Sequence, residues 1–158
     1  MKKKAALIVL LTGCLLIPLS ARISTEGDDV KIFATLDEAA PLPARPLLLV
    51  FFSLECHVCW GELFEMKHFI EKNDIPIDLI GISYEPEAEL RPFLSKYAFF
   101  CPVVSDRAKA LYRRFRVRLE PFRIILNRDR VLYRDDTAED FFVRRNRAKQ
   151  CLLEIASR

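Results

Sequence analysis

The chain has 158 residues, 51% of them hydrophobic and 30% charged, with five cysteines and a formal net charge of +3. This is one domain's worth of chain, able to bury a core without a disulfide scaffold and too apolar to be disordered, while four glycines and nine prolines exclude collagen-like or Gly-rich low-complexity sequence. Taking Lys2, Lys3 and Lys4 out of the 25 basic residues leaves 22, equal to the acidic count, so the remainder is neutral and lacks the excess of a general nucleic-acid binder.

Those three lysines precede an uncharged stretch from Ala5 to Leu19 that contains Leu7, Ile8, Val9, Leu10, Leu11, Leu15, Leu16 and Ile17. A positive n-region followed by an apolar run is an export segment. Three fates remain open: ordinary signal cleavage, lipoprotein processing, or retention as a membrane anchor. The sequence favours the second, because Leu11-Thr12-Gly13-Cys14 resembles the bacterial lipobox, whose cysteine is lipidated and becomes the new N-terminus. A retained anchor would be shorter than the roughly 20 residues a spanning helix needs. Each fate places the following domain in the bacterial cell envelope, outside the cytoplasmic membrane, and the three lysines on one side of the segment agree with that orientation. Residues 1–21 are thus read as export segment or anchor, 22–29 as a polar tether and 30–158 as the folded domain.

Beyond Pro41, Pro43 and Pro46, Leu47 to Phe52 is a continuous apolar run and predicts a strand buried on both faces. From Cys56 to Asn73, Leu63, Met66, Phe69 and Ile70 recur at helical spacing. Ile77 to Ser83 reads as a second strand and Glu87 to Ala98 as a second helix. Pro102 to Val104 is a short strand leading into a helix over Asp106 to Phe115, with Asp106 as its N-cap. Phe122 to Leu126 and Val131 to Arg134 form a hairpin across Asn127 to Arg130, and a final helix covers Ala138 to Ile155. Strands alternating with helices predict a mainly parallel α/β sheet closed by an antiparallel hairpin.

Cys56-His57-Val58-Cys59 falls where the first buried strand passes into the first helix, a context that points to redox chemistry rather than packing. A thiol at a helix N-terminus feels the positive end of the macrodipole, which stabilises its thiolate. Cys56 is therefore the expected nucleophile and Cys59, one turn further in, the resolving thiol. His57, when protonated, would favour the Cys56 thiolate, whereas the Glu55 carboxylate would oppose it; these two residues are the expected redox tuners. Half a zinc site is the competing reading, but no second CxxC or Cys/His pair at ligand spacing accompanies the motif. Cys101 and Cys151 read as core cysteines, with a mutual disulfide left open. The arginine-rich stretch from Arg107 to Arg134, which includes Lys109, Arg113, Arg116, Arg118, Arg123 and Arg128, reads as a solvated surface, or as a docking face for an acidic partner or anionic bilayer.

With this order of elements and this motif, the chain resembles the thioredoxin-like superfamily, and within it the membrane-anchored TlpA/ResA type of thiol-disulfide oxidoreductase, over residues 30–135. Phe51-Phe52-Ser53-Leu54-Glu55-Cys56-His57-Val58-Cys59 is similar to that family's aromatic-rich CxxC segment, with Glu55 where an aromatic is usual. Glu62 fits its acidic helix position, Ile80-Gly81-Ile82-Ser83 resembles its second strand, and Phe100 to Asp106 resembles its F-P-V-L-x-D segment. Val50 stands where classical thioredoxin carries a buried aspartate. Phe115 to Phe122 is similar to the segment whose proline is cis. The resemblance implies a thioredoxin-like fold with a central mixed β-sheet flanked by helices, and a cis Pro121 that faces the disulfide and, with Glu120, lines a substrate groove. It implies an enzyme that reduces disulfides of cysteine-containing exported proteins such as apocytochrome c, supplied by a membrane or exported electron donor and needing no cofactor. The alternative is a thioredoxin-like module that holds copper through the same pair. A peroxiredoxin fits less well, since Leu49 stands where that family has proline.

Overall fold

The computed structural model describes residues 31–41 and 43–157; Cys14, the export segment and the tether lie outside the described residues. Six strands form one mixed sheet in the order β1-β4-β3-β2-β5-β6, with β1 at Ile32–Phe33, β2 at Leu47–Phe51, β3 at Asp78–Ser83, β4 at Val103–Ser105, β5 at Phe122–Asn127 and β6 at Arg130–Arg134. The helices are α1 (Leu36–Ala39), α2 (His57–Lys72), α3 (Glu87–Lys96), α4 (Ala110–Arg114) and α5 (Phe141–Ala156). Central β2 pairs parallel with β3, Leu49 opposite Ile80, and antiparallel with β5, Leu49 opposite Ile124. This is the thioredoxin-like α/β architecture expected from the sequence.

Successive side chains of a strand point to opposite faces, and the apolar run of β2 divides accordingly. Leu48 and Val50, with Phe52 beyond the strand end, pack under α2, α3 and α5 against Leu63, Met66, Leu90, Leu94 and Leu152. Leu47, Leu49 and Phe51 face the other way, against Tyr112, Phe115 and Phe122, with α1 alongside. Each such side chain taken out of water contributes about 1.5–3 kcal/mol. The two faces therefore clamp β2, and the loop that leaves its end starts from a fixed point.

Three sequence expectations change. The two-residue β1 and the single-turn α1 add an edge to the sheet that the periodicity did not announce. The helix expected from Asp106 starts at Ala110; Lys109, with φ 52°, is its N-cap residue, while the Asp106 carboxylate reaches forward to the N–H groups of Ala110, Leu111 and Tyr112 at 2.8, 2.9 and 3.1 Å. The third correction is Arg123, which does not belong to the solvated arginine surface. It lies opposite Val50 with 0% exposure. Its guanidinium ion-pairs with Glu62 of α2 and with Asp135, which also pairs with Arg144 at 3.1 Å, while Arg145 Nε reaches Glu62 at 2.8 Å.

Candidate redox site

Phe52 ends the buried run, and the chain then turns through Ser53, Leu54 and Glu55 into α2. Cys56 occupies the N-cap position: its N–H donates to the Ser53 carbonyl at 3.2 Å, and its own carbonyl accepts from the Cys59 N–H at 3.0 Å. A helix N-terminus leaves its first N–H groups without intrahelical acceptors, and no side chain caps this one. Cys56 and Cys59 are joined by a disulfide with a Cα–Cα distance of 5.4 Å. Their settings differ, since Cys56 is half-buried and Cys59 has no exposure. Of the two, Cys56 is the one that keeps solvent exposure.

The expected tuners His57 and Glu55 are both exposed and flank Cys56 in the chain. The Glu120–Pro121 peptide bond is cis, as the resemblance implied, and Phe122 immediately after it pairs with Phe51 at the same end of the sheet as the disulfide. Glu120 is half-buried, and its carboxylate accepts from the Tyr112 hydroxyl, whose oxygen also lies 3.1 Å from the Phe52 carbonyl. Burial, reinforced by Glu120, holds the Tyr112 phenol far above its ordinary range. It stays protonated and can bridge the two chain segments.

Sequence reading missed Glu85, which is 8% exposed just past β3. Its carboxylate accepts the Leu54 N–H at 2.9 Å and the Ser83 hydroxyl, and the Ser105 hydroxyl donates to its carbonyl at 2.8 Å. Glu85 thus fixes the loop that carries Cys56. Burial raises its pKa, partly countered by the Leu54 N–H and reinforced by repulsion from Glu120 and Glu89. No short motif marks such a residue; its role follows from β3 and β4 ending beside the loop. Trp60, one residue past Cys59, closes the other flank by packing on Phe52, Phe93 and Phe99 with centroids 5.2, 4.5 and 5.6 Å apart.

Cys101 is a free, buried thiol, so the Cys101–Cys151 disulfide left open by the sequence is not formed. Burial pushes the Cys101 thiol up to about 12, so it is un-ionised at neutral pH and a poor nucleophile. Among the described residues no group of three or more His, Cys, Asp or Glu side chains could hold a metal ion, and no helix is long and apolar enough to cross a membrane.

Comparison with known proteins places this geometry. A thioredoxin-like protein from Porphyromonas gingivalis superposes with a TM-score of 0.59 at 17% identity, covering 72% of this chain and 76% of that one. The thioredoxin domain of a thiol-disulfide oxidoreductase from Bacteroides vulgatus gives 0.53 at 13% identity, over 68% and 79% of the two chains. The exposed lipoprotein thioredoxin of Streptococcus pneumoniae gives 0.54 at 14%, over 70% and 84%. At these identities the likeness is one of fold. No match was found among curated proteins. The AhpC/TSA family pattern matches residues 26–145, which include the disulfide, Glu85 and the cis proline. By that match over most of its length, the chain belongs to the AhpC/TSA family of redox-active, thioredoxin-like proteins.

Proposed function

We propose that the protein is an exported, membrane-tethered thiol-disulfide oxidoreductase of the TlpA/ResA type that reduces disulfides in exported cysteine-containing proteins. The observation that carries this is the unequal pair at the start of α2, with Cys56 half-buried on an uncapped helix N-terminus and Cys59 enclosed behind it. In the reduced protein the Cys56 thiolate attacks one sulfur of a substrate disulfide. A bond forms between Cys56 Sγ and that sulfur, the substrate S–S bond breaks, and the other substrate sulfur leaves as a thiolate and takes up a proton. Cys59, deprotonated in turn, attacks Cys56 Sγ, which releases the second substrate thiol and leaves the Cys56–Cys59 disulfide. Two electrons pass to the substrate, and a dithiol donor in the membrane or envelope restores the pair.

Pro121 and Glu120 supply the edge of the groove in which an extended substrate segment lies beside Cys56. A proline carries no N–H, so the edge there receives a strand without competition from its own donor. His57, when protonated, and Glu55 would act on the Cys56 thiolate in opposite directions. The envelope location and the tether rest on Lys2 to Leu19 and on Cys14, whose substitution by Ser would remove lipid from the chain.

Cys56→Ser abolishes turnover of a protein disulfide, and Cys59→Ser accumulates the mixed disulfide, detectable as a covalent adduct by mass. Retained turnover in Cys56→Ser overturns the reading. Stoichiometric copper on the reduced wild-type protein, lost in the double cysteine variant, would replace it with the metal-carrying alternative. A reduction potential near the −270 mV of thioredoxin marks a reductant and one near −120 mV an oxidant.

A further inference from the structure

A cavity of about 540 Å3 opens next to Glu120. Lys109, Arg113, Arg116 and Arg118 contribute four cationic side chains to its lining, and Tyr84 and Tyr112 an aromatic wall. It lies at the disulfide end of the sheet. Tyr84 directly follows β3, Tyr112 bonds to the Phe52 carbonyl four residues before Cys56, and Glu120 precedes the proline of the proposed groove.

The charge in this cavity is not balanced from within. Lys109 Nζ sits 3.8 Å over the Tyr84 ring centroid, and Arg113 donates to the Ala108 carbonyl. Neither Arg116 nor Arg118 has a carboxylate partner among the described residues. Glu120, the acidic member of the lining, is already taken by the Tyr112 hydroxyl. Closer to the sulfurs the sign reverses, since Glu55 adjoins Cys56 and Glu85 holds the same loop.

We propose that this pocket reads an acidic stretch of the protein substrate, aspartate or glutamate side chains set a few residues away from the cysteine that Cys56 attacks. The inference rests on the oxidoreductase reading and adds a substrate class to it. A segment held beside Cys56 and Pro121 runs on past Glu120 into the cationic cavity, where its acids meet uncompensated guanidinium groups and its aliphatic stems meet the tyrosine rings. Acids directly beside the substrate cysteine instead meet the exposed Glu55 that adjoins Cys56. The preferred substrate is neutral or basic at its cysteine and acidic at a distance of several residues.

The test uses the purified, reduced chain and peptide disulfides that differ only in carrying four Glu or four Gln, placed three to six residues from the cysteine on its N- or its C-terminal side. On one of the two sides kcat/KM is expected to favour Glu over Gln roughly tenfold at low salt, a modest electrostatic steering effect. The preference shrinks toward unity near 1 M salt, where the Debye length is only about 3 Å. In Arg116→Gln/Arg118→Gln the Glu/Gln ratio falls to near one; because it is taken within one preparation, a change in overall activity does not enter it. Equal rates for Glu and Gln peptides on both sides in the wild type, or a preference that survives in the double variant, overturns the inference while leaving the oxidoreductase reading intact. Failure to reduce any peptide, by contrast, removes the oxidoreductase reading and this inference with it.

Discussion

Two buried polar clusters, one between the sheet and α2 and α5 and the other around the loop that carries Cys56, are closed in different ways. Under α2 and α5, Arg123 and Arg144 meet Glu62 and Asp135, so opposite charges neutralise each other, and Tyr133 adds a hydroxyl to Asp135 at 2.6 Å. At the disulfide end, Glu85 and Glu120 share the same sign and are satisfied only by hydroxyl and amide donors from Ser83, Leu54 and Tyr112. A pair of opposite charges offsets the cost of leaving water, whereas a carboxylate held by neutral donors stays penalised. The raised pKa of Glu85 is that penalty made visible. The first cluster ties helices to the sheet; the second positions the Cys56 loop and leaves acidic character beside the reactive sulfur.

Breaking the charge-compensated cluster has the largest expected effect. Asp135 accepts from the Arg123 backbone N–H at 3.1 Å as well as pairing with both guanidinium groups. Asp135→Ala leaves two buried cations short of a counter-charge, and removal of one partner from a buried pair costs about 3–5 kcal/mol. Urea denaturation is expected to show that loss. A cost within the range of an exposed pair, about 0–1 kcal/mol, would mean that Glu62 alone satisfies both arginines.

How much of this was readable beforehand differs between the two clusters. The strands were legible because continuous apolar runs such as Leu47 to Phe52 admit few alternatives, and CxxC at a strand-to-helix junction is a motif whose chemistry depends on local context. Arg123 was not, since ten basic residues between Arg107 and Arg134 look alike in sequence. The partner that buries it, Glu62, lies 61 residues away on another element. Its one local signal was its place inside the apolar run Phe122 to Leu126. The displaced start of α4 has a similar cause: an Asp106 side chain can cap amides four to six residues on when a left-handed Lys109 intervenes, and residue spacing does not reveal that turn.

The like-charged cluster is sharpened by pH. Glu85 has its folded pKa raised, so its contribution to stability is greatest below the unfolded value and is lost as pH rises through the folded one. In Glu85→Gln the amide oxygen still accepts the Leu54 N–H and the amide N–H can donate to Ser83, while the ionisation is gone. Thermal midpoints of the wild type and the variant are expected to lie close together near pH 4, with the variant pulling ahead toward pH 8. A wild-type advantage that grows with pH would show that the carboxylate form is the favoured one and that Leu54 and Ser83 outweigh burial.

Glu65 completes the comparison with the smallest effect and the opposite sign. Its ion pair with Lys149 joins α2 to α5, and the Lys149 hydrogen bond and charge lower its pKa. Its stabilising contribution is present above the unfolded carboxylate pKa and is lost as pH falls through the lower folded value. Because Glu65 is 43% exposed and Lys149 21%, solvent screens the pair, and Glu65→Gln is expected to cost at most about 1 kcal/mol near neutral pH. That cost should shrink in high salt, whereas the Asp135→Ala loss should not, since screening reaches exposed charges far more than buried ones. Equal salt sensitivity of the two variants would mean that water enters the Arg123 cluster and that the sheet does not seal it.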